Sequence, residues 1–275
     1  MNNLTLRTVT GTGFVIVMLA CLLLSKFLFA GLFLFVISTM MAEFYRMTMG
    51  ESYKGLRILA IVSGCTAFIL VFCHCAFNIS VKYISLALVP LLALMIMSLY
   101  VKDKTEYGKF SNVLAGLLYV TVPLSISNFI VFRDGEFNAV TVLCFFIIIW
   151  CSDIGAYLIG SAFGQKYGKK LFPSVSPNKS WIGFWGGLLF AIISACVMFW
   201  TGVFNFAIYH CIILATIMNV AGVYGDLFES QWKRYCGVKD SGNIIPGHGG
   251  MLDRFDSAVF AIPAGAIYLA LTNLL

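Results

Sequence analysis

Carboxylates, hydroxyls and cations crowd into one stretch of a chain that is otherwise mostly apolar. Asp226 to Ser257 reads DLFESQWKRYCGVKDSGNIIPGHGGMLDRFDS and holds five of the twelve acidic residues: Asp226, Glu229, Asp240, Asp253 and Asp256. It also holds four of the eighteen Lys and Arg and one of the three histidines. If the preceding apolar run continues as helix past Gly225, then Asp226, Ser230 and Lys233 fall at i, i+4 and i+7 on one face, with Glu229 alongside. Asp253 and Asp256 are three apart at the start of the last apolar run, so a helix there turns both the same way. Three carboxylates at the mouths of two helices repel one another unless something positive sits among them. Hard oxygen ligands at this density suggest magnesium, which favours carboxylate, water and substrate phosphate. Pro246-Gly247-His248-Gly249-Gly250 is a loop whose glycines permit positive φ and close backbone approach to a ligand. Flanked by the carboxylates, Lys233, Arg234 and Lys239, it points to phosphate binding.

A second polar connection comes earlier: CSDIGAYLIGSAFGQKYGKKLFPSVSPNKSW, from Cys151 to Trp181. Asp153 lies close to or inside an apolar run, where an ionisable group is costly unless it faces a polar cavity or a cation. An interhelical hydrogen bond would explain it equally well. Ser176-Pro177-Asn178-Lys179-Ser180 sets two hydroxyls and an ammonium just before a helix start, where free N–H groups and the positive end of the dipole attract anions. Serine before a helix is also an ordinary cap.

The elements that must position these groups are membrane spans. The 275 residues are 60% hydrophobic and 11% charged, with a mean hydropathy of +0.93, far from soluble averages. The expected fold is all-α, a polytopic helical membrane protein. Apolar runs of about 20 residues predict nine spans near 8–24, 27–42, 58–77, 82–101, 110–132, 138–160, 181–201, 203–225 and 255–275. The first five form an N-terminal region, 1–135. Residues 136–275 form a C-terminal catalytic region with cytoplasmic loops 161–180 and 226–254.

Positive charge sorts onto alternate loops in register with this count. Fifteen Lys and Arg fall on one side: Arg7; Arg46, Lys54 and Arg57; Lys102, Lys104 and Lys109; Lys166, Lys169, Lys170 and Lys179; Lys233, Arg234, Lys239 and Arg254. Lys26, Lys82 and Arg133 fall on the other. The excess marks the cytoplasmic side, which predicts a cytoplasmic N-terminus, an outside C-terminus and a cytoplasmic 226–254 loop. The net charge of +6 is read as topology alone for the first three cytoplasmic loops, while the basic face would also attract anionic lipid head groups; no nucleic-acid partner is expected. Arg7 before a run ending at Ala20-Cys21 faintly resembles a lipoprotein leader, but cleavage there would discard a span. Eight of nine cysteines lie in apolar runs, Cys236 being in the polar loop; they read as packing residues, with no zinc site or disulfide framework.

The order Ser230-x-x-Lys233-Arg234-x4-Lys239-Asp240-x5-Pro246-Gly247-His248-Gly249-Gly250-x-x-Asp253-Arg254-x-Asp256 resembles the signature of the CDP-diacylglycerol synthase family, also called phosphatidate cytidylyltransferases. Asp153-x-Gly155-Ala156-Tyr157, Gly160, Phe163-Gly164 and Ser176-Pro177-x-Lys179-x-Trp181 resemble that family's looser second motif. The matched blocks cover about 150–257. One departure stands out: where the family has Lys-Thr-x-Glu-Gly, this chain has Lys179-Ser180-Trp181-Ile182-Gly183.

The resemblance implies a magnesium-dependent reaction of CTP with phosphatidic acid that gives CDP-diacylglycerol and pyrophosphate, at the cytoplasmic face of a bacterial inner membrane. The attacking lipid phosphate is already an anion, so the protein's task is to align two polyanions and neutralise the leaving group. The resemblance assigns Asp226 and Asp253 to the metal and Asp256 to the same centre or its surroundings, and leaves room for a second cation. It sets Lys233, Arg234 and Lys239 on phosphates and places Asp240 with the catalytic group. Asp153, Ser176, Lys179, Ser230, His248, Gly249, Gly250 and Arg254 become substrate contacts. Membrane lipids are the surrounding partners, and a homodimer is compatible.

Two other classes compete. A transporter of anionic solutes would also carry buried charge and broken-helix glycines, yet here the charges cluster on one face and no paired inverted halves are visible. Another lipid-head-group enzyme, a CDP-alcohol phosphotransferase or a CTP-dependent polyprenol kinase, also competes; the former needs an Asp-x-x-Asp-Gly-x-x-Ala-Arg opening, which is absent.

Overall fold

The computed structural model describes residues 3–50, 53–100, 107–133, 135–164, 168–247 and 249–275. Lys102, Lys104, Lys166 and His248 lie outside the described residues, as does the side chain of Arg7. Two units make up the chain: 1–139 with 236–254, and 140–235 with 255–275.

In the first unit, α1 (Asn3–Leu24) is followed after one residue by α2 (Lys26–Met49). Ser25 caps α2, its hydroxyl accepting from the N–H of Phe27 at 3.2 Å. Gly50 then ends α2 at φ +66°, a conformation that costs glycine little. Next come α3 (Lys54–Phe77) and a 3₁₀ segment (Val81–Ala87) continuous with α4 (Leu88–Ser98). Helix α5 (Gly108–Gly116), a π turn (Leu117–Thr121) and α6 (Val122–Val131) form one rod, and a two-stranded hairpin, β1 (Phe132–Arg133) with β2 (Glu136–Phe137), closes the series. The core is aromatic. Phe33 stacks on Phe68 at 6.0 Å between centroids, Phe29 lies 4.5 Å from Phe33, and the Tyr45 hydroxyl donates to the carbonyl of Val113 at 2.9 Å. Such rings bury large areas in close-packed, offset or tilted arrangements.

In the second unit, α7 (Val140–Ile159) runs into a π turn (Gly160–Gly164). A hairpin, β3 (Lys170–Phe172) with β4 (Ser176–Ser180), then leads into α8 (Trp181–Trp200). Helix α9 (Ile208–Tyr235) follows, and α10 (Leu252–Leu271) starts in the first unit and continues in the second. Helices α7 and α8 approach closely through small residues: a Cβ on Gly155 would meet the Gly186 carbonyl oxygen at 2.7 Å, and one on Gly187 the Ser152 carbonyl oxygen at 2.9 Å. In lipid, where apolar side chains gain nothing by leaving solvent, such contact is what holds helices together.

Eight helical segments are long and apolar enough to cross a bilayer, and the shorter Thr8–Leu24 stretch makes a ninth apolar helix among the described residues. This is an all-α, multi-pass membrane protein, with spans close to those expected from hydropathy. The largest difference is the eighth, expected at 203–225: α9 starts at Ile208 and carries on to Tyr235. Its last ten residues stay helical although polar, with Glu229 and Lys233 ion-paired one turn apart along the helix. The 161–180 connection, expected as a loop, contains the β3–β4 hairpin.

Candidate active site

The extension of α9 brings carboxylates together. Asp226 and Glu229, one turn apart, meet Asp256 of α10, with one oxygen from each lying within 4.8 Å of the others. Close approach of α9 and α10 makes this possible. At Gly225 there is no room for a Cβ, which would run into the carbonyl oxygen of Asp256, and one on Gly222 would touch Ser257 Cβ at 3.5 Å. Below the polar ends, Phe228 packs on Phe260 at 5.5 Å and Phe255 on Phe146 at 5.7 Å.

Cations and hydroxyls surround the cluster unevenly. Lys179, at the end of β4, is ion-paired with Asp226 Oδ2. Lys233 Nζ lies 2.5 Å from Glu229 Oε2, one turn along α9, and Glu229 is fully buried. The Ser230 hydroxyl donates to Asp226 Oδ1 at 3.3 Å, and the N–H of Ser257 to Asp256 Oδ1 at 2.7 Å. Among the described residues, Lys179 and Lys233 face three carboxylates in a half-buried place. Hard oxygen donors at this spacing fit a divalent cation, which would remove that repulsion.

The strand that carries Lys179 is fixed at both ends. Ser180 caps α8 by accepting from the N–H of Gly183 at 3.2 Å, and Ser176 pairs with Phe172 across the hairpin. Arg234 reaches the turn of the same hairpin, Nε to the Val175 carbonyl at 3.4 Å. Asp153 sits on the exposed side of α7, next to Ser152, whose hydroxyl donates to Asn219 Oδ1 at 2.6 Å. No glutamate stands at Ile182. The cap is supplied by Ser180, and the Asp226 carboxylate takes the ammonium of Lys179.

In the first unit, the glycine-rich loop is built around two other carboxylates. Asp253 Oδ2 accepts from the N–H of Gly250 at 2.8 Å and of Ser241 at 3.1 Å. Glu43, from the apolar helix α2, accepts from the N–H groups of Met251 at 3.0 Å and Leu252 at 2.8 Å. The Ser241 hydroxyl lies 3.1 Å from both Glu43 Oε2 and Asp253 Oδ2. Gly247 and Gly249 take φ of +78° and +83°, as the sequence suggested, and Ile245 and Gly249 form a bridge. Beside this loop opens a cavity of about 690 Å³ lined by Lys239, Asp240, Asn243, Pro246, Gly249 and Arg254 among others.

Of the residues singled out from sequence, Asp226 and Asp256 share one cluster, with Lys179, Ser230 and Lys233 around it. Lys239, Asp240, Gly249 and Arg254 share the cavity. Asp253 and Asp256, expected to point the same way, have different partners: Asp256 joins Asp226 and Glu229, whereas Asp253 ties down backbone N–H groups. Glu229 joins the cluster although the sequence reading gives it no metal role; its i, i+3 spacing from Asp226 is the signal that points there. Glu43 has no role in the sequence reading because it falls just past the span expected at 27–42, and the structure carries that helix on to Met49.

Residues 5–272 match the profile of the cytidylyltransferase family. A phosphatidate cytidylyltransferase of Staphylococcus saprophyticus is 47% identical over 122 residues, which is 44% of this chain and 46% of that protein. The match thus spans less than half the length of that relative. The phosphatidate cytidylyltransferase of Staphylococcus aureus is 38% identical over 178 residues, 64% of this chain and 67% of the relative. That of Staphylococcus epidermidis is 37% identical over 187 residues, 67% and 71%. With a profile match over nearly its whole length and relatives at these identities, the chain belongs to the cytidylyltransferase family.

Proposed function

We propose that this protein is a phosphatidate cytidylyltransferase, working with magnesium at the cytoplasmic face of a bacterial inner membrane. The observation that carries the reading is the Asp226–Glu229–Asp256 cluster with Lys179 and Lys233 against it, in a chain similar to relatives of that name. A phosphate oxygen of phosphatidic acid attacks the α-phosphorus of CTP, a new P–O–P bond forms, the α–β anhydride bond breaks, and pyrophosphate leaves with its electron pair. No serine or cysteine nucleophile is required.

Asp226, Glu229 and Asp256 would hold the magnesium ion, which when bound neutralises phosphate charge and stabilises the leaving group. Lys179 and Lys233 balance the carboxylates and stand ready to contact phosphate oxygens. Lys239 and Arg254 give the loop cavity its positive charge, and the planar Arg254 guanidinium suits bidentate phosphate contact. Asp253 orders the loop through its backbone contacts. The fifteen Lys and Arg on alternate connections support the cytoplasmic side.

The test is incubation of purified, folded protein in detergent with labelled CTP, phosphatidic acid and magnesium. Formation of a lipid-linked cytidylate with release of pyrophosphate is the expected result. Its absence in protein shown to be folded rejects the reading.

A further inference from the structure

Glu43 is an acid at 3% exposure in the last two turns of the apolar helix α2, where a buried charge persists only if strongly compensated. All its described partners belong to one loop. Two backbone N–H groups at the start of α10, Met251 and Leu252, donate to its two oxygens, and the Ser241 hydroxyl approaches one of them. These N–H groups open a helix and have no partner within it, so an anion there satisfies both the hydrogen bonds and the dipole. The cap is delivered from 208 positions away in the chain.

The loop is shaped to receive it. A Cβ on Gly250 would meet Glu43 Oε2 at 2.5 Å, and one on Gly242 would collide with Oε1. Two glycines therefore make room for the carboxylate rather than for a turn. The Ser241 hydroxyl has one proton and two carboxylate oxygens at 3.1 Å, so Glu43 and Asp253 grip the same residue from two sides. Thr10 of α1 adds a hydroxyl contact to the Pro246 carbonyl at 3.2 Å.

We infer that Glu43 is a positioning residue: it caps α10 from within the membrane helix and fixes the Ser241–Leu252 loop, and thereby the Lys239, Asn243 and Arg254 side of the cavity, for a nucleoside triphosphate. The assignment of the ligand rests on the cytidylyltransferase reading; the ordering of the loop does not. Glu43 touches no reacting atom. Its effect should appear in nucleotide affinity more than in the chemical step.

The experiment compares wild type and Glu43→Gln in detergent by backbone hydrogen exchange and by steady-state kinetics. Glutamine keeps the size but turns one acceptor into a donor aimed at an N–H. The expected result is exchange over 241–252 faster by about tenfold or more, with α8 and α9 unchanged. KM for CTP should rise by about tenfold, with KM for phosphatidic acid unchanged. Wild-type exchange over 241–252 overturns the inference, as does faster exchange spread evenly over the chain or a loss confined to kcat. If Glu43→Gln does not accumulate folded, the same readings on Ser241→Ala decide, with the same pattern expected at smaller size. Should wild type neither bind nor turn over CTP, the cytidylyltransferase reading fails while the exchange comparison still decides whether Glu43 positions the loop.

Discussion

Lys179 is ion-paired with Asp226 across 47 positions of sequence, so the end of a short β-hairpin is fastened to a helix that carries two of the three clustered carboxylates. The pair is partly exposed, at 26% and 31% for the two side chains, and its net contribution is therefore small, about 1 kcal/mol or less. Its position gives it more weight than its energy. An ammonium paired with Asp226 competes with a divalent cation for the same carboxylate.

Removing that ammonium should therefore separate metal binding from turnover. In Lys179→Met the magnesium concentration for half-maximal activity is expected to fall by up to about fivefold, the equivalent of a partly exposed pair. Maximal turnover should drop, because a phosphate contact is lost. Magnesium titrations of the activity check both.

Asp226→Asn and Asp256→Asn should each reduce turnover by about 100-fold or more and raise the magnesium requirement, since losing a ligand costs at least what losing its supporting partner does. Asp253→Asn is the informative contrast. A ligand role raises the magnesium requirement; the loop role suggested by its bonds to Ser241 and Gly250 lowers activity with that requirement unchanged. Saturation with magnesium distinguishes the two.

Gly225→Ala puts a methyl group into the carbonyl oxygen of Asp256. Backbone cannot yield as a flexible side chain would, so α9 and α10 must separate. A loss of about 1–3 kcal/mol is expected, read as a lower melting temperature in detergent, together with a weakened magnesium response because Asp256 moves with its helix. Wild-type values for both would show that the contact is soft.

Cys236 follows the last residue of α9, outside the spans. Burial pushes its thiol above the ordinary value, so less thiolate is present at neutral pH and alkylation should be slow there, still accelerating with pH above about 8.5. Mass spectrometry of the Cys236 peptide after iodoacetamide treatment at a series of pH values measures this. With a membrane-impermeant maleimide, labelling in inverted vesicles but not in intact spheroplasts is expected from the cytoplasmic assignment; the reverse pattern would refute it.

Hydropathy alone determined the class of protein and nearly all the spans, because a bilayer forces apolar runs of about 20 residues into helices whatever their neighbours. Local spacing also predicted that Asp226, Ser230 and Lys233 share a helical face, and the hydrogen bond from Ser230 to Asp226 agrees. Positive φ at Gly247 and Gly249 was readable for the same reason: it depends on the residue and its immediate surroundings. Tertiary structure decided who meets whom. Spacing put Asp253 and Asp256 on one side of a helix, but it could not say that Asp253 would be taken up by N–H groups of a loop while Asp256 joined Asp226 and Glu229. Nor could it pair Lys179 with Asp226 or Glu43 with Leu252. Those contacts join residues 47 and 209 positions apart, and for Glu43 the energy that selects the contact comes from compensating a buried charge, which no local pattern records.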